Sequence, residues 1–257
     1  MKFNEFTNSA VAAAEKAGEI LLKHHSKNIK VEFKGRIDPV TIADRQSQEA
    51  IISSIKRKFP GHTFMGEEDK KKAVCSEFCW IIDPLDGTVN FIHGLPQFCV
   101  SIGLSHLGKI IAGVVYAPLM GEMYIAQKGA GSWLNGKRIR VSGINKLVRS
   151  LVVTGFPYDI HANSKSIIRS LSNVLVEIQG LRRLGSAALD LAYVAAGRFE
   201  AFWELGLHPW DVAAGSLLVT EAGGKVTDFN GKKEFLWDSE LLASNGKIHQ
   251  VMLKLIK

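Results

Sequence analysis

The sequence predicts an α+β protein whose second half alternates helices and strands. Apolar residues recur at helical spacing near the N-terminus, and strand-like runs separated by glycine-containing turns begin at about residue 98. After residue 142 the pattern mixes both element types. A chain of 257 residues suits one large domain or two closely packed ones. We therefore expect an N-terminal α+β part over residues 1–145, with an antiparallel sheet, and a C-terminal α/β part over residues 146–257.

Two helices and two short strands are predicted in the first 83 residues. Residues 3–25 carry apolar positions at helical spacing, and a second helix is expected from Thr41 to Phe59, where Pro60-Gly61 stops it. The segments HTFMGEED and CWIID then predict short strands, each of which ends in acidic residues. The acids of these strand ends are the first candidates for a functional site.

The stretch from residue 98 to residue 142 predicts an antiparallel meander. Its strand-like runs are separated by glycine-containing turns, at Leu107-Gly108-Lys109, Met120-Gly121 and Asn135-Gly136. Asn-Gly is the strongest of these hairpin signals, because both residues tolerate positive φ. The second half then predicts strands at SLVVTGF, RFEAFWEL, KVTDF and ELLASN, and helices at HANSKSIIRSLSNVLVEIQ, GSAALDLAYVAAG, PWDVAAGSLLVTEAGG and the C-terminus.

The composition indicates a soluble globular protein. Hydrophobic residues make up 46% of the chain, and no run reaches the roughly 18 to 20 apolar residues that a membrane span needs. The N-terminal segment carries acidic residues within its apolar pattern, which favours an ordinary helix over a secretory signal. Three cysteines argue against a disulfide framework and favour a reducing cytoplasm. Cys75 and Cys79 lack the further ligands of a zinc site, so we expect them to be structural or incidental.

The chain is basic, with a net charge of +7. This balance is compatible with nucleic acid, an acidic surface or phosphorylated small molecules as partners. The basic residues are spread along the chain, and no recognised nucleic-acid-binding motif accompanies them. We therefore favour a solvated charged surface over a nucleic-acid site.

Acidic side chains recur where predicted strands end and helices begin. They are Glu67 and Glu68 in GEED, Asp83 and Asp86 in DPLDGT, Asp211 in PWD, and Asp44 in TIAD, where Thr41 precedes it. Each has a simpler interpretation: a surface turn for DPLDGT, a capping box for Thr41 and Asp44, a helix-dipole preference for Asp211 and loop charges for Glu67 and Glu68. Taken alone, DPLDGT leaves a metal site and a turn equally open.

The DPLDGT segment can bring two carboxylates and several amides to one place. Pro84 keeps Asp83 extended at the strand end, so the chain can fold back and bring Asp83 and Asp86 together. Gly87 permits close approach to a ligand, and a short helix beginning at Thr88 would direct amides toward a phosphate. Carboxylate and carbonyl oxygens select hard ions such as Mg²⁺ or Mn²⁺. The expected chemistry is metal-assisted transfer of a phosphoryl group to water.

Three segments in this order, GEE, WIIDPLDGTVNF and PWDVAAGSLLVTEAGG, resemble the inositol monophosphatase family of Mg²⁺-dependent phosphatases, its bacterial members most. VTIAD and GSAALDLAYVAAGRFEAFWELG also fit, so the resemblance spans nearly the whole chain. It implies the layered αβαβα sandwich shared by inositol monophosphatases and fructose-1,6-bisphosphatases, and often a homodimer. It also implies hydrolysis of inositol monophosphate to inositol and phosphate by a metal-activated water.

The resemblance assigns a role to each matching residue. Asp44, Thr88 and Glu67 are the implied catalytic residues, in which the Thr88 hydroxyl passes its proton toward Asp44. The implied metal ligands are Glu67, Asp83, the carbonyl of Leu85, Asp86 and Asp211. The implied substrate-binding residues are Asp86, Gly87, Thr88, Ala187 and Glu204.

Several alternatives stay open at this point. The same chemistry serves relatives that act on fructose 1,6-bisphosphate, histidinol phosphate or nucleotide 3′-phosphates. Arg182 and Arg183 are candidates for a second phosphate, a dimer partner or ordinary surface charge. The basic charge leaves room for an additional role in binding RNA or the transcription machinery.

Overall fold

A computed structural model of the chain describes residues 3–25, 31–33, 39–69, 75–157 and 160–257. The helices are α1 (Glu5–His24), α2 (Ile42–Lys56), α3 (Thr88–Ile92), α4 (Ile160–Leu175), α5 (Ala187–Ala195), α6 (Pro209–Glu221) and α7 (His249–Leu255), with a 3-10 turn at Leu147–Arg149. The strands are β1 (Val31–Phe33), β2 (Pro39–Thr41), β3 (Thr63–Gly66), β4 (Phe78–Asp86), β5 (Cys99–His106), β6 (Lys109–Ala117), β7 (Glu122–Gln127), β8 (Gly131–Leu134), β9 (Lys137–Ile139), β10 (Leu151–Thr154), β11 (Gly180–Arg182), β12 (Ala201–Leu205), β13 (Lys225–Thr227) and β14 (Glu240–Ser244).

Three helical layers alternate with two large sheets. Helices α1 and α2 pack on the seven-stranded sheet, α5 and α6 lie between the sheets, and α7 packs on β14 of the five-stranded sheet beside α4. Each interface has its own apolar core. One core surrounds α1, a second surrounds α5 and α6, and a third surrounds α7. This arrangement confirms the predicted α+β class and its αβαβα layering.

The seven-stranded sheet has the order β3-β4-β5-β6-β7-β8-β9, so β5 to β9 form the predicted meander. Two of its turns have positive φ at both central residues, Leu107-Gly108 and Asn135-Gly136. Strand β3 pairs with β4 in parallel, whereas the other pairs are antiparallel. Parallel pairing brings the C-terminal ends of β3 and β4 to the same edge, and this edge carries the acids described below.

The five-stranded sheet has the order β11-β10-β12-β14-β13. Its central strand β12 pairs in parallel with β10 and antiparallel with β14. The two large sheets draw their strands from residues 63–139 and 151–244, on either side of the predicted boundary at 145/146. The division into parts 1–145 and 146–257 stays a prediction, since α6 from the second half packs on both sheets.

Four local features differ from the sequence prediction. Helix α2 ends at Lys56 rather than Phe59, and the pair β1–β2 and strand β11 were not anticipated. The cysteine count argued against a disulfide framework, and a single disulfide, which that count did not predict, is present. Cys75 and Cys79 are bonded, because the start of β4 brings their Cα atoms to 5.2 Å, and Cys99 is a buried free thiol.

The helices also bear on membrane association. Within the described ranges, every helix falls short of the length and apolar character that crossing a membrane requires.

Candidate active site

Strand β4 carries both aspartates of DPLDGT, and a register shift separates them. Asp83 pairs with Ser101 of β5 and Asp86 with Cys99, with an irregularity in between. The strand therefore continues through Pro84 instead of folding back after Asp83, which corrects the predicted turn. An irregularity of this kind re-aims side chains without ending the strand. Both carboxylates line one pocket, so the predicted convergence is confirmed although its backbone route differs.

Backbone and side-chain donors fix the two aspartates from different parts of the chain. The amide of Leu85 donates to Oδ1 of Asp83 at 3.0 Å. Oδ2 of Asp86 accepts from the Ser186 hydroxyl and from the Ala188 amide, each at 2.7 Å. Ser186 is the N-cap of α5, so the second half of the chain orients a carboxylate of the first half.

Glu67 and Asp211 reach the same pocket from two other elements. Glu67 follows β3, and its amide donates to the carbonyl of Ile82 at 3.1 Å, which extends the parallel pairing toward Asp83. Asp211 lies in the first turn of α6, where its Oδ2 accepts from the His208 amide at 2.7 Å. Capping thus fixes Asp211 at the pocket wall. Glu68 lies outside the pocket lining.

The clustered carboxylates perturb one another. Burial raises the pKa of Asp83 well above its usual value, and the charges of Glu67, Asp86 and Asp211 raise it further. Burial also raises the pKa of Asp86 to about 6, against the hydrogen bond from Ser186. The pKa of Asp211 is raised by burial and then by Asp86 and Glu67. Without a cation the site therefore holds more negative charge than its surroundings compensate.

Asp44 and Thr88 meet beside this cluster. The Thr88 hydroxyl lies 3.2 Å from Oδ1 of Asp44 and 3.0 Å from the carbonyl oxygen of Leu85, and it has one proton to donate. Oδ2 of Asp44 accepts from the Thr41 amide at 2.8 Å and from its hydroxyl at 2.6 Å. The predicted capping box is present. The other oxygen of the same carboxylate contacts Thr88, so the cap and a contact with a pocket-lining residue coexist.

Gly87 occupies a position that other residues would strain. Its φ is +93°, and a Cβ there would lie 2.7 Å from the carbonyl oxygen of Gln97. It is the N-cap of α3, so the amides of Gly87 and Thr88 stand at the start of that short helix. Both residues line the pocket. The short helix expected to begin at Thr88 is therefore present.

The far side of the pocket comes from the second half of the chain. The cavity measures about 230 Å³, and its lining includes Ala187, Glu204, Arg183 and Gly155. Burial raises the pKa of Glu204 to about 8, and the positive charge of Arg183 opposes that rise. Arg182, in contrast, lies outside the pocket lining and donates to the carbonyl of Leu181. Gly155 was not predicted as a pocket residue, whereas Arg183 was one of two arginines considered for a second phosphate, a dimer partner or ordinary surface charge.

The donor set suits a hard cation. The cluster supplies four carboxylates and the adjacent Leu85 carbonyl, and Mg²⁺, Ca²⁺ and Mn²⁺ prefer oxygen donors of this kind. In the described part of the chain, no three acidic, His or Cys side chains are already arranged so that they could hold a metal ion together. Asp83, Asp86 and Asp211 each use one carboxylate oxygen to accept a hydrogen bond from a backbone amide. The residues therefore fit a cation through their chemistry and their unbalanced charge.

Comparison with known proteins agrees with this geometry. The chain matches the inositol monophosphatase family over residues 2–257. An inositol-1-monophosphatase of Mesorhizobium japonicum is 44% identical over 253 residues, which cover 97% of this chain and 95% of the relative. A Nus factor SuhB of Pseudomonas aeruginosa is 42% identical, with 97% and 95% covered. The crystal structure of extragenic suppressor protein suhB from Bartonella henselae has a TM-score of 0.94 at 40% identity, with 99% of each chain covered.

A layered αβαβα sandwich with a carboxylate-lined pocket between its sheets defines a metal-dependent phosphatase. The chain belongs to the inositol monophosphatase family, and it is an enzyme that hydrolyses phosphate monoesters.

Proposed function

We propose that this phosphatase hydrolyses inositol monophosphate to inositol and phosphate, with Mg²⁺ as its cofactor and Mn²⁺ as a possible substitute. The observation that carries the proposal is the position of the Asp44–Thr88 pair beside four carboxylates in one pocket. The 44% identical relative named inositol-1-monophosphatase supports the substrate.

The proposed metal ligands are Glu67, Asp83, the Leu85 carbonyl, Asp86 and Asp211. When bound, Mg²⁺ lowers the pKa of a coordinated water and balances the charge that develops on the phosphoryl and leaving oxygens. The residues fit this role because burial and mutual repulsion already raise the pKa values of Asp83, Asp86 and Asp211.

In the proposed mechanism, Thr88 and Asp44 act on the attacking water. The Thr88 hydroxyl accepts a proton from the water and passes its own to Oδ1 of Asp44, 3.2 Å away. The water oxygen forms the new bond to phosphorus in line with the bond that breaks. The leaving alkoxide takes a proton from solvent. Thr41 keeps Asp44 in place through two hydrogen bonds to the other carboxylate oxygen.

The phosphate and the polyol of the substrate bind on two different sides of the pocket in this proposal. We assign the phosphate to the amides of Gly87 and Thr88, next to the carboxylates of Asp86 and its neighbours, which would hold Mg²⁺. We assign the hydroxyls of the polyol to Glu204 and to the backbone of Ala187. Gly87 is suited to this because its missing Cβ permits the close turn beside Gln97.

A panel of phosphate esters tests the substrate. Phosphate release is measured with Mg²⁺ from inositol 1-phosphate, fructose 1,6-bisphosphate, histidinol phosphate and a nucleotide 3′-phosphate. We expect the highest kcat/KM with inositol 1-phosphate. A clear preference for another ester would keep the mechanism and overturn the substrate. Failure to release phosphate from every ester in the presence of Mg²⁺ would overturn the proposed chemistry.

A second role is favoured by the names of several relatives. The curated relatives include proteins named Nus factor SuhB, and this chain carries a net charge of +7. We propose that it also binds RNA or the transcription machinery, as a cytoplasmic homodimer. Binding to RNA should weaken with salt and survive Asp83→Asn, because phosphate contacts on a basic surface do not need the metal ligands. Binding that is lost with Asp83→Asn would contradict an independent role, and light scattering reports the dimer.

A further inference from the structure

Asp190 is a buried acid that the proposed mechanism does not use. It lies on α5, has a relative exposure of 1%, and lines the same pocket as the metal-ligand carboxylates. Its Oδ1 has no hydrogen-bond partner within the described part of the chain. Buried carboxylate oxygens in folded proteins are nearly always paired. An unpaired one at a pocket wall therefore indicates a missing ligand.

Three charged neighbours act on Asp190, and two of them, Glu204 and Arg183, lie on its own side of the pocket. Burial raises the pKa of Asp190 well above its usual value, the charges of Glu204 and then Asp86 raise it further, and Arg183 opposes the rise. The two acids and one arginine form a polar group on the side of the pocket that comes from the second half of the chain. We call Asp190, Glu204 and Arg183 the distal triad.

The composition of the distal triad indicates what it binds. A hydroxyl can pair with a carboxyl group in either protonation state, as donor to the ionised form or as acceptor from the protonated form, so it would satisfy the unpaired oxygen of Asp190. The distal triad therefore fits a polyol with several hydroxyls.

We propose that Asp190 is a specificity-determining residue that hydrogen-bonds a hydroxyl of the substrate polyol beside Glu204. This inference rests on the proposed function, and it adds to that function a further residue that recognises the polyol. Asp190 contacts the polyol, which is the leaving group of the substrate, whereas the amides of Gly87 and Thr88 bind the phosphate.

The test compares two esters in the Mg²⁺-loaded enzyme. One is inositol 1-phosphate, and the other is p-nitrophenyl phosphate, which has the phosphate without the hydroxyls. The variants are Asp190→Leu, which has a similar shape without polar atoms, and Asp190→Asn, which keeps polar atoms. Asp228→Asn is the control, because Asp228 is a buried aspartate outside the pocket lining whose carboxylate accepts from the Lys232 amide.

We expect Asp190→Leu to raise KM for inositol 1-phosphate by about tenfold or more, and Asp190→Asn by less, because a lost hydrogen bond in a buried site costs about this much. For p-nitrophenyl phosphate, kcat and KM should stay within about twofold in every variant. Equal losses on both esters would show a structural role and overturn the proposal, and so would unchanged KM for inositol 1-phosphate in both variants. If Asp190→Leu fails to fold, the KM of Asp190→Asn decides. A wild type that cleaves p-nitrophenyl phosphate and not inositol 1-phosphate would instead overturn the proposed substrate.

Discussion

The hydroxyl of Thr88 lies 3.2 Å from Oδ1 of Asp44, whose Oδ2 accepts two hydrogen bonds from Thr41. The Asp44 carboxylate therefore helps to cap helix α2 and also contacts the Thr88 hydroxyl, which lines the pocket. Because the two functions use different oxygens, substitutions at Thr88 and Thr41 separate them.

Replacing Thr88 by valine should abolish most of the activity and leave the fold intact. Thr88→Val keeps the shape and removes the hydroxyl that passes a proton toward Asp44, so kcat should fall by at least about a hundredfold. The matched control is Thr41→Val, which weakens the capping box and should lower stability by about 1 kcal/mol while kcat changes far less. Phosphate release and thermal melts measure both. Retention of full activity by Thr88→Val would contradict the proposed proton path.

Asp83→Asn should eliminate turnover and stabilise the metal-free protein. Burial and three neighbouring acids raise the pKa of Asp83, so its charge opposes folding at neutral pH and removing it should raise Tm in EDTA. Adding Mg²⁺ should raise Tm of the wild type. At a Mg²⁺ concentration of 100 Kd, binding adds about 2.7 kcal/mol to the free energy of unfolding. The variant should respond much less. If Mg²⁺ left the Tm of the wild type unchanged, or if Asp83→Asn stayed active, the assigned metal ligands would be wrong.

Local sequence patterns were sufficient to predict the structural elements that depend on interactions between neighbouring residues. Asn135-Gly136 predicted its hairpin because both residues accept positive φ, and the spacing of Thr41 and Asp44 predicted the capping box. The acids at strand and helix ends were found for the same reason. They follow runs whose periodicity is visible without any knowledge of the partner strands.

Features that depend on pairing between distant segments were not predictable. Asp86 is fixed by Ser186 from 100 positions along the chain, and no local pattern links the two. The parallel pairing of β3 with β4, which places Glu67 beside Asp83, has the same periodicity as antiparallel pairing. Asp190 was not singled out, because in the sequence it is one polar residue in an apolar helix, and only the packing of α5 places it at the pocket wall.

The stability of the metal-free protein should depend on Glu204. Its pKa is raised from 4.5 to about 8 in the folded chain, so its contribution to stability is fully present below the unfolded value and is lost as pH rises through 8. We therefore expect Glu204→Gln to raise Tm relative to the wild type by several degrees at pH 9 and by little at pH 5. Melts in EDTA across this range measure it, with the exposed Glu49→Gln of α2 as control. A Tm difference that is the same at every pH would argue against a buried, uncompensated carboxylate.

Gly155→Ala should impair recognition of the polyol by displacing Glu204. A Cβ at Gly155 would overlap the Glu204 carboxylate, and this flexible end of a side chain can rotate away without unfolding the protein. We expect kcat/KM for inositol 1-phosphate to fall by about tenfold, as for a lost hydrogen bond to the substrate, with a smaller loss on p-nitrophenyl phosphate. Gly61→Ala is the matched control, because a Cβ there meets nothing within 4 Å and should leave both activities unchanged. The two substrates report on different sides of the pocket: an equal loss on both would place the damage at the phosphate side, and an unimpaired Gly155→Ala would show that the position of Glu204 does not limit binding of the polyol.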